Sequence, residues 1–401
     1  TQHFTQKHDV VILVTSTSGQ YIFETDSKNL GPLHLLKPFD ARSVYDRAEV
    51  HLSVFLTTFC FLSIVYVLII YPAILYLRSL QSFTPIKKDL SAPLCSVSVL
   101  LAVRNGAPLI VAKLDSLCLL DYPPDLLEIL ILNDGSTDDT SPTVEEYTSN
   151  KKKQLRPSIV FLDLECAGKA AALNHGLAQA KGDLIFFTDL RQRIAPQSLR
   201  HLVANFADPS VGCVSGELVI EAGASAEEQQ TGLYWRYEKW IRMQQSRIDS
   251  LIGARGAIYL QRRRLCQSLP EHTLLDDVHQ PLNAFFAGYR VILDPAAQAF
   301  DRPTNLKREF QRKVRTLAGN YQILFHFPQL LTSRNRMRIH FLSHKFARLL
   351  LPFALLGLLV SSLFLPNPWQ LIMLIGQFTF YGLAIIDPYL PDGFPVKRLS
   401  S

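Results

Sequence analysis

Five stretches of this chain carry residue types that can do chemistry. Asn133-Asp134-Gly135-Ser136-Thr137-Asp138 ends an apolar run on a carboxylate and then a glycine that can turn tightly. It is either a hydrogen-bond acceptor at the rim of a sheet or a plain turn whose Thr137 or Asp138 caps the next helix. Gly168-Lys169 opens an alanine-rich helix; the lysine faces either a phosphate or solvent, and the spacing is not that of a P-loop. Phe186-Phe187-Thr188-Asp189-Leu190-Arg191 leaves a carboxylate directly after a buried strand. Such a group is costly unless paired or bound to a hard cation that bridges phosphates, though it can also serve as a helix cap. Leu275-Asp276-Asp277 sets two carboxylates side by side. Adjacent acids raise one another's pKa, which suits one of them to act as a base near neutrality; alternatively they cap a helix through 278–287. The run 306–315, LKREFQRKVR, is a basic amphipathic helix that suits a membrane surface and can turn one arginine toward a leaving diphosphate.

These residues need a scaffold, and the pattern around them supplies one. Residues 96–103, 128–134, 158–163 and 183–189 are apolar, β-rich runs that end in polar residues, with helical stretches between them. That alternation predicts an α/β fold whose mostly parallel sheet is covered on both faces and binds ligands at the carboxyl ends of its strands. Two runs end in aspartate, Asp134 and Asp189.

Residues 52–77 hold no charged side chain, and at about 1.5 Å per residue they can cross a bilayer core of about 30 Å. Pro72 falls inside this span and predicts a kink. Two later runs, 349–365 and 369–386, are separated by Pro366-Asn367-Pro368 and read as a tight membrane hairpin. Basic residues tie around the first span but crowd before the second, at Arg334, Arg336, Arg338, Lys345 and Arg348; Lys397 and Arg398 follow the third. The positive-inside rule then places 79–348 in the cytoplasm and 1–50 outside. The net charge of +6 accompanies these apolar runs, so a membrane surface is the expected partner. No recognition helix, finger or RNA-binding sheet signature supports nucleic acid. Six scattered cysteines without a CxxC pair predict neither a disulfide framework nor a zinc site. The chain begins at Thr1, as a fragment would, and shows no signal peptide. The organisation expected is an N-terminal segment of unknown role (1–50) in which VVILV and YIF read as a short hairpin, a membrane helix (51–78), the α/β domain (79–302), interfacial amphipathic helices (303–345), a membrane hairpin (346–390) and a tail (391–401).

Over about 95–325 the stretches SVSVLLAVRNGA, LLDYPPDLLEILILNDGSTDDT, GKAAALNHGLAQAKGDLIFFTD, GARGAIYLQRR and LLDDV resemble family 2 glycosyltransferases of the GT-A fold. With its flanking helices the chain is similar to the membrane-bound branch that includes cellulose, hyaluronan and poly-N-acetylglucosamine synthases. The resemblance implies a GT-A, Rossmann-like cytoplasmic domain and transfer from a nucleotide-diphosphate sugar, usually of uridine, to a glycan or lipid-linked acceptor. It implies an integral protein of a bacterial inner membrane. Asp134 would accept from the base, with Arg104, Asn105, Lys169 and Arg191 beside the donor. Asp189 matches the first aspartate of the DxD motif and would meet a divalent cation, Mg or Mn, on the diphosphate. Asp277, beside Asp276, matches the end of the TED motif and would be the general base. Arg315 matches the arginine of QxxRW, and Gly253, Gly256 and Tyr259 would line the acceptor path. Three departures stand out: Arg191 replaces the second DxD aspartate, TED reads Leu275-Asp276-Asp277, and the Gln and Trp of QxxRW are absent. Two other outcomes follow from them: transfer of one sugar to a polyprenyl phosphate, or an inactive nucleotide-binding scaffold.

Overall fold

The computed structural model describes residues 3–6, 9–16, 19–26, 41–150, 157–221, 233–302 and 306–386. The expected tail at 391–401, with its two basic flanking residues, lies outside the described residues. The chain divides into two compact units.

One unit comprises Thr1–Val65 and Leu351–Gly382. It opens with an antiparallel meander, β1 (His3–Gln6), β2 (Asp9–Ser16) and β3 (Gly19–Asp26), in which the expected hairpin is the β2–β3 pair, with Ile12 opposite Phe23. Helix α1 (Ala41–Val65) follows and passes into a π-helical turn at Tyr66–Ile70 and then α2 (Tyr71–Gln81). The widened turn lies immediately before Tyr71-Pro72, where proline cannot donate its N–H and crowds the preceding turn. Within this unit a few hydroxyls and an amide bond across apolar helix surfaces. Thr57 Oγ1 donates to Ser361 Oγ (2.8 Å) and Gln377 Nε2 to Ser362 Oγ (3.0 Å). Such contacts satisfy polar groups where water is excluded.

The other unit, Tyr66–Leu350 with Leu383–Ser401, holds the chemistry. Its elements alternate along the chain. They are β4 (Val97–Val103), α3 (Ala107–Cys118), β5 (Leu127–Asp134), α4 (Thr140–Asn150), β6 (Ser158–Leu164), α5 (Lys169–Gln179) and β7 (Leu184–Phe187). Then come β8 (Arg193–Ile194), α6 (Ser198–Ala204), β9 (Val211–Ile220), α7 (Leu233–Ile248), β10 (Tyr259–Arg262), α8 (Asp276–Phe286), β11 (Arg290–Asp301) and α9 (Leu306–His326). The short α10 (Arg338–His340) precedes a π-helical turn, Phe341–Phe346. The apolar helices α11 (Ala347–Ser362) and α12 (Trp369–Ile386) come next along the chain and fall largely in the first unit. Three helices, Glu49–Gln81, Arg338–Ser362 and Trp369–Ile386, are long and apolar enough to cross a membrane. The second begins earlier than the apolar run at 349 suggests.

Eight strands form one sheet in the order β6-β5-β4-β7-β10-β9-β11-β8. The first four are parallel, as expected. Six of the eight strands run in one direction, so the sheet is mostly parallel as expected, and the departures lie beyond β7. There β10 runs antiparallel to both β7 and β9, and β8 antiparallel to β11, so the sheet is mixed. The physical reason is connectivity. β9 ends and β10 begins at the same end of the sheet, where Tyr259 pairs with Phe187 at the end of β7, so α7 and the loop after it make no crossover to the other end.

The period of two sorts side chains to both faces. From β4 and β5, Val97, Val99, Leu101, Val103, Ile129 and Ile131 pack with α3, α4 and α6; Leu100, Leu130 and Leu132 pack with α5 and α8. Both faces are buried, so the strands read as continuous apolar runs.

Candidate functional site

At the carboxyl end of β5, Asp134 is buried, and its Oδ1 accepts two backbone N–H bonds, from Ala167 and Gly168, both 2.8 Å. The carboxylate therefore ties the strand end to the turn that starts α5. Gly135 is required here: its φ is +59°, and a Cβ would lie 2.7 Å from the Cys166 backbone nitrogen. At the end of β4, Thr137 N–H donates to Asn105 Oδ1 (2.8 Å) and Asn105 N–H donates to Ser136 Oγ (2.9 Å). The Asn105 side-chain oxygen thus holds one rim loop to another, while the Arg104 side chain is exposed.

Lys169, the first residue of α5, does not point freely at solvent. Its Nζ lies 2.9 Å from Asp189 Oδ1 and 2.9 Å from Asp276 Oδ1. Burial works against its charge, but the two carboxylates win and raise its pKa. Asp189 is held below the usual carboxylate range: burial opposes this, and the Lys169 ammonium, with help from Lys113 and Arg315, overcomes it.

Asp277 is the contrasting group. Its pKa is pushed up to about 6, first by burial and then by the neighbouring Asp276 charge, with Lys169 pulling the other way and Asp189 adding to the rise. Its Oδ2 accepts the Gly256 N–H at 3.1 Å, and its backbone carbonyl accepts the Ala254 N–H at 2.7 Å. A Cβ on Gly256 would stand 3.2 Å from Asp277 Oδ2 and 3.2 Å from Asp189 Oδ2. The two carboxylates therefore flank one glycine, and a side chain there would push on both. Gly253, with φ +120°, starts the same turn.

Tyr259 requires a correction. It is fully buried in β10, its ring stacked on Phe187 at 4.5 Å with 7° between planes. It belongs to the core under the site and cannot line an open acceptor path. Arg191 also has a settled partner: its guanidinium pairs with Asp301, whose Oδ2 also accepts from Gln192 Nε2 at 2.9 Å. Arg315 lies on an exposed stretch of α9, close enough to Asp189 to help lower its pKa.

Lys113 and Asp301 are site-supporting residues absent from the sequence-based candidates. Lys113, on α3, is buried; its Nζ donates to Thr188 Oγ1 and to the Gln192 carbonyl, both 2.7 Å. Burial pushes its pKa down to about 7. It braces the 188–192 turn that presents Asp189. The only hint of it in sequence is a lysine inside the apolar helical run LIVAKLDSL.

Among the described residues no cluster of three His, Cys, Asp or Glu side chains can hold a metal ion by itself. Asp189 offers Oδ2, since Lys169 occupies Oδ1. One carboxylate oxygen fits a hard divalent cation bound mainly through substrate phosphates and water, and does not fit an all-protein cage.

Comparisons with known proteins bear on the family and the fold. Residues 98–268 match Glycosyl transferase family 2, and residues 185–384 match Glycosyl transferase family group 2. The probable glycosyltransferase YdaM of Bacillus subtilis (strain 168) is 26% identical over 299 residues, 71% of this chain and 70% of the relative. The beta-monoglucosyldiacylglycerol synthase of Nostoc sp. (strain PCC 7120 / SAG 25.82 / UTEX 2576) is 28% identical over 266 residues, 63% of this chain and 54% of the relative, so the chain spans about half of that protein. In fold, the chain is similar to the mannosyltransferase PcManGT from Pyrobaculum calidifontis, solved in complex with GDP-Man and Mn2+. The TM-score is 0.66 at 22% identity, covering 88% of this chain and 95% of that one. With two overlapping family matches along 98–384 and the carboxylates gathered at the strand ends of a GT-A-like sheet, the chain belongs to glycosyl transferase family 2.

Proposed function

We propose that the chain is a membrane-bound inverting glycosyltransferase. It moves a sugar from a nucleotide-diphosphate sugar, with UDP-sugars the first donors to test, onto an acceptor hydroxyl at the cytoplasmic face. The observation that carries this reading is the pair of unlike carboxylates about Gly256: Asp189 kept ionised by Lys169, and Asp277 raised toward neutrality. Groups whose environments push their pKa values apart divide the work of binding and proton transfer.

In this reading Asp134, Asn105 and Arg104 form the nucleotide end of the rim. The Lys169–Asp189 pair lies next to the diphosphate. Asp189 Oδ2 would hold a divalent cation, Mg or Mn, that neutralises charge on the leaving diphosphate when bound. Arg315 adds positive charge on the same side. Asp277 takes the proton from the acceptor hydroxyl as that oxygen attacks the anomeric carbon on the face opposite the departing diphosphate. Gly253 and Gly256 leave room for the acceptor. Arg191, committed to Asp301, shapes the turn rather than meeting the donor.

The membrane placement rests on the three apolar helices and on the basic residues before the second; the acceptor is a glycan or a lipid-linked molecule. A single transfer to a lipid has specific support, since the Gln and Trp of QxxRW, linked with holding a polymer terminus, are absent and a relative is a glucosyldiacylglycerol synthase.

The test is a donor screen with product mass analysis on membranes containing the full chain. Nucleotide release should depend on one donor class, and the product mass separates one added sugar from a polymer. Asp277→Asn should lower transfer by roughly 10²–10⁴-fold while nucleotide still binds. An unchanged rate removes Asp277 from the base role. Nucleotide binding without turnover, with either Mg or Mn, favours the scaffold alternative.

A further inference from the structure

The turn that carries Gly256 is held from two sides. On one side Asp277 takes two of its backbone N–H groups. Ala254 N–H donates to the Asp277 carbonyl at 2.7 Å, and Gly256 N–H donates to Asp277 Oδ2 at 3.1 Å. On the other side Lys345 Nζ donates to the Ile252 carbonyl at 2.8 Å. Gly253 stands between these anchors with φ at +120°, and a Cβ there would lie 3.0 Å from Val278 Cγ2 on α8. A turn packed this closely on α8 passes a displacement at Ile252 on to Asp277.

Lys345 comes from an unusual element. It lies in the π-helical turn Phe341–Phe346, inside the helix Arg338–Ser362 that is long and apolar enough to cross a membrane. Such turns are rare and recur at functional sites. The turn at Tyr66–Ile70 has Pro72 beside it, whereas no proline follows Phe341–Phe346 before Pro352. Contacts hold the second turn instead. Tyr66 OH and Ser343 Oγ share a hydrogen bond of 2.7 Å, which joins the two widened turns directly. The Tyr71 ring stacks on His344 at 5.9 Å, and its OH lies 3.2 Å from His340 Nδ1. Glu238, on α7, accepts from Arg348 and lies 3.1 Å from His344 Nε2. His344 before Lys345 and Arg348 after it are thus fixed, and Lys345 reaches Ile252.

Docking the helix does not require this bond. Phe341 already packs in one buried cluster with Leu251, Ala254 and Val278. A half-buried ammonium is costly where an apolar side chain would serve packing as well, so its place on a carbonyl of the Gly256 turn points to another task.

We infer that Lys345 is a positioning residue for the transfer step: from the π-helical turn at the head of the second apolar helix it holds the Ile252–Gly256 turn, and with it Asp277. This rests on the glycosyltransferase reading above and adds a residue outside its donor and base groups. Lys345 touches neither donor nor acceptor. It acts through the Ile252 carbonyl, so the geometry at Asp277 is complete only when the head of that helix is in place.

The experiment measures UDP release and sugar transfer on membranes containing the full chain. UDP-glucose, UDP-galactose and UDP-N-acetylglucosamine are supplied in parallel to the parent chain, Lys345→Met and Lys345→Arg. Lys345→Met should lower kcat about tenfold or more, because small misplacements of reacting groups are costly, while donor KM and UDP affinity stay within about twofold of the parent. Lys345→Arg keeps an N–H donor of similar reach and should restore most of kcat. A Lys345→Met kcat equal to that of the parent overturns the inference. So does a loss that Lys345→Arg leaves unrestored, or one matched by an equal loss of UDP affinity, since either reports general damage to the fold. Lys345→Gln, with a shorter neutral side chain, is judged by the same criteria if Lys345→Met fails to accumulate in the membrane. A parent chain that binds UDP and transfers from none of the donors removes the donor reading, and the role of Lys345 falls with it. An active parent with Lys345→Met at full rate removes the role of Lys345 alone.

Discussion

Gly256 is the residue on which the site closes. Its missing side chain is the space shared by Asp189 Oδ2 and Asp277 Oδ2, each 3.2 Å from where a Cβ would stand. Gly256→Ala should fold, because the intrusion is a few tenths of an ångström. It should displace one carboxylate or the reacting oxygen, with transfer lowered about tenfold or more. Kinetics on the variant check this, and an unchanged rate would place the reaction elsewhere. As the proposed base, Asp277 should set the pH dependence. A base must be ionised, and burial together with Asp276 moves its titration up to about 6. Transfer (kcat/KM) should therefore fall as pH drops through about 6. Asp276→Asn removes a charge that raises the Asp277 pKa, so the limb should move to lower pH; a limb that stays put assigns it to another group. Sequence reading reached Asp189 because it directly follows an apolar strand, and Asp277 because it is one of two adjacent carboxylates at a helix start. It missed Lys113, whose helix position looks like any surface lysine, and Asp301, which meets Arg191 only after 110 residues of chain have folded. It misplaced Tyr259, since a tyrosine in a glycine-containing loop motif and one starting a buried strand read alike.

At the scale of elements, the parallel strands β4 to β7 were legible because sheets covered on both faces leave continuous apolar runs. β10 was not legible: Tyr259–Arg262 is four residues long, and its antiparallel direction depends on where the preceding loop leaves it. The placement of α8, which starts with both catalytic-side acids, depends on a contact with α9 that leaves no sequence pattern. A Cβ on Gly319 would lie 2.5 Å from Leu275 Cγ and 2.8 Å from its Cδ1. Leu275 is the residue before Asp276, so Gly319 lets α9 press directly on the start of α8. Gly319→Ala should cost about 1–3 kcal/mol through overpacking. It should lower transfer at the same time, because the shift moves Asp276 away from Lys169. A stability curve and an activity assay on the same preparation test this. Loss of stability with full activity would mean that α8 holds its place without α9.

For the whole molecule, the proposed cytoplasmic placement of the α/β unit rests on the basic flanks, and the cysteines make that placement measurable. Cys166 is exposed, whereas Cys60 and Cys213 are buried and Cys95, Cys118 and Cys266 are partly covered. Cys166 sits against the Gly135 turn, one residue before the backbone that holds Asp134. A membrane-impermeant maleimide added to intact cells should leave it unlabelled, and permeabilised cells should label it rapidly. Labelling in intact cells would put the sheet on the outer side and reverse the topology. The same cysteine reports on the donor. If the nucleotide base lies at Asp134, as proposed, UDP should slow the labelling in permeabilised membranes, and Asp134→Asn should weaken that protection. Protection that survives at full strength in Asp134→Asn would move the base away from β5. Topology and donor placement are thus read from one thiol, with the two outcomes independent of each other.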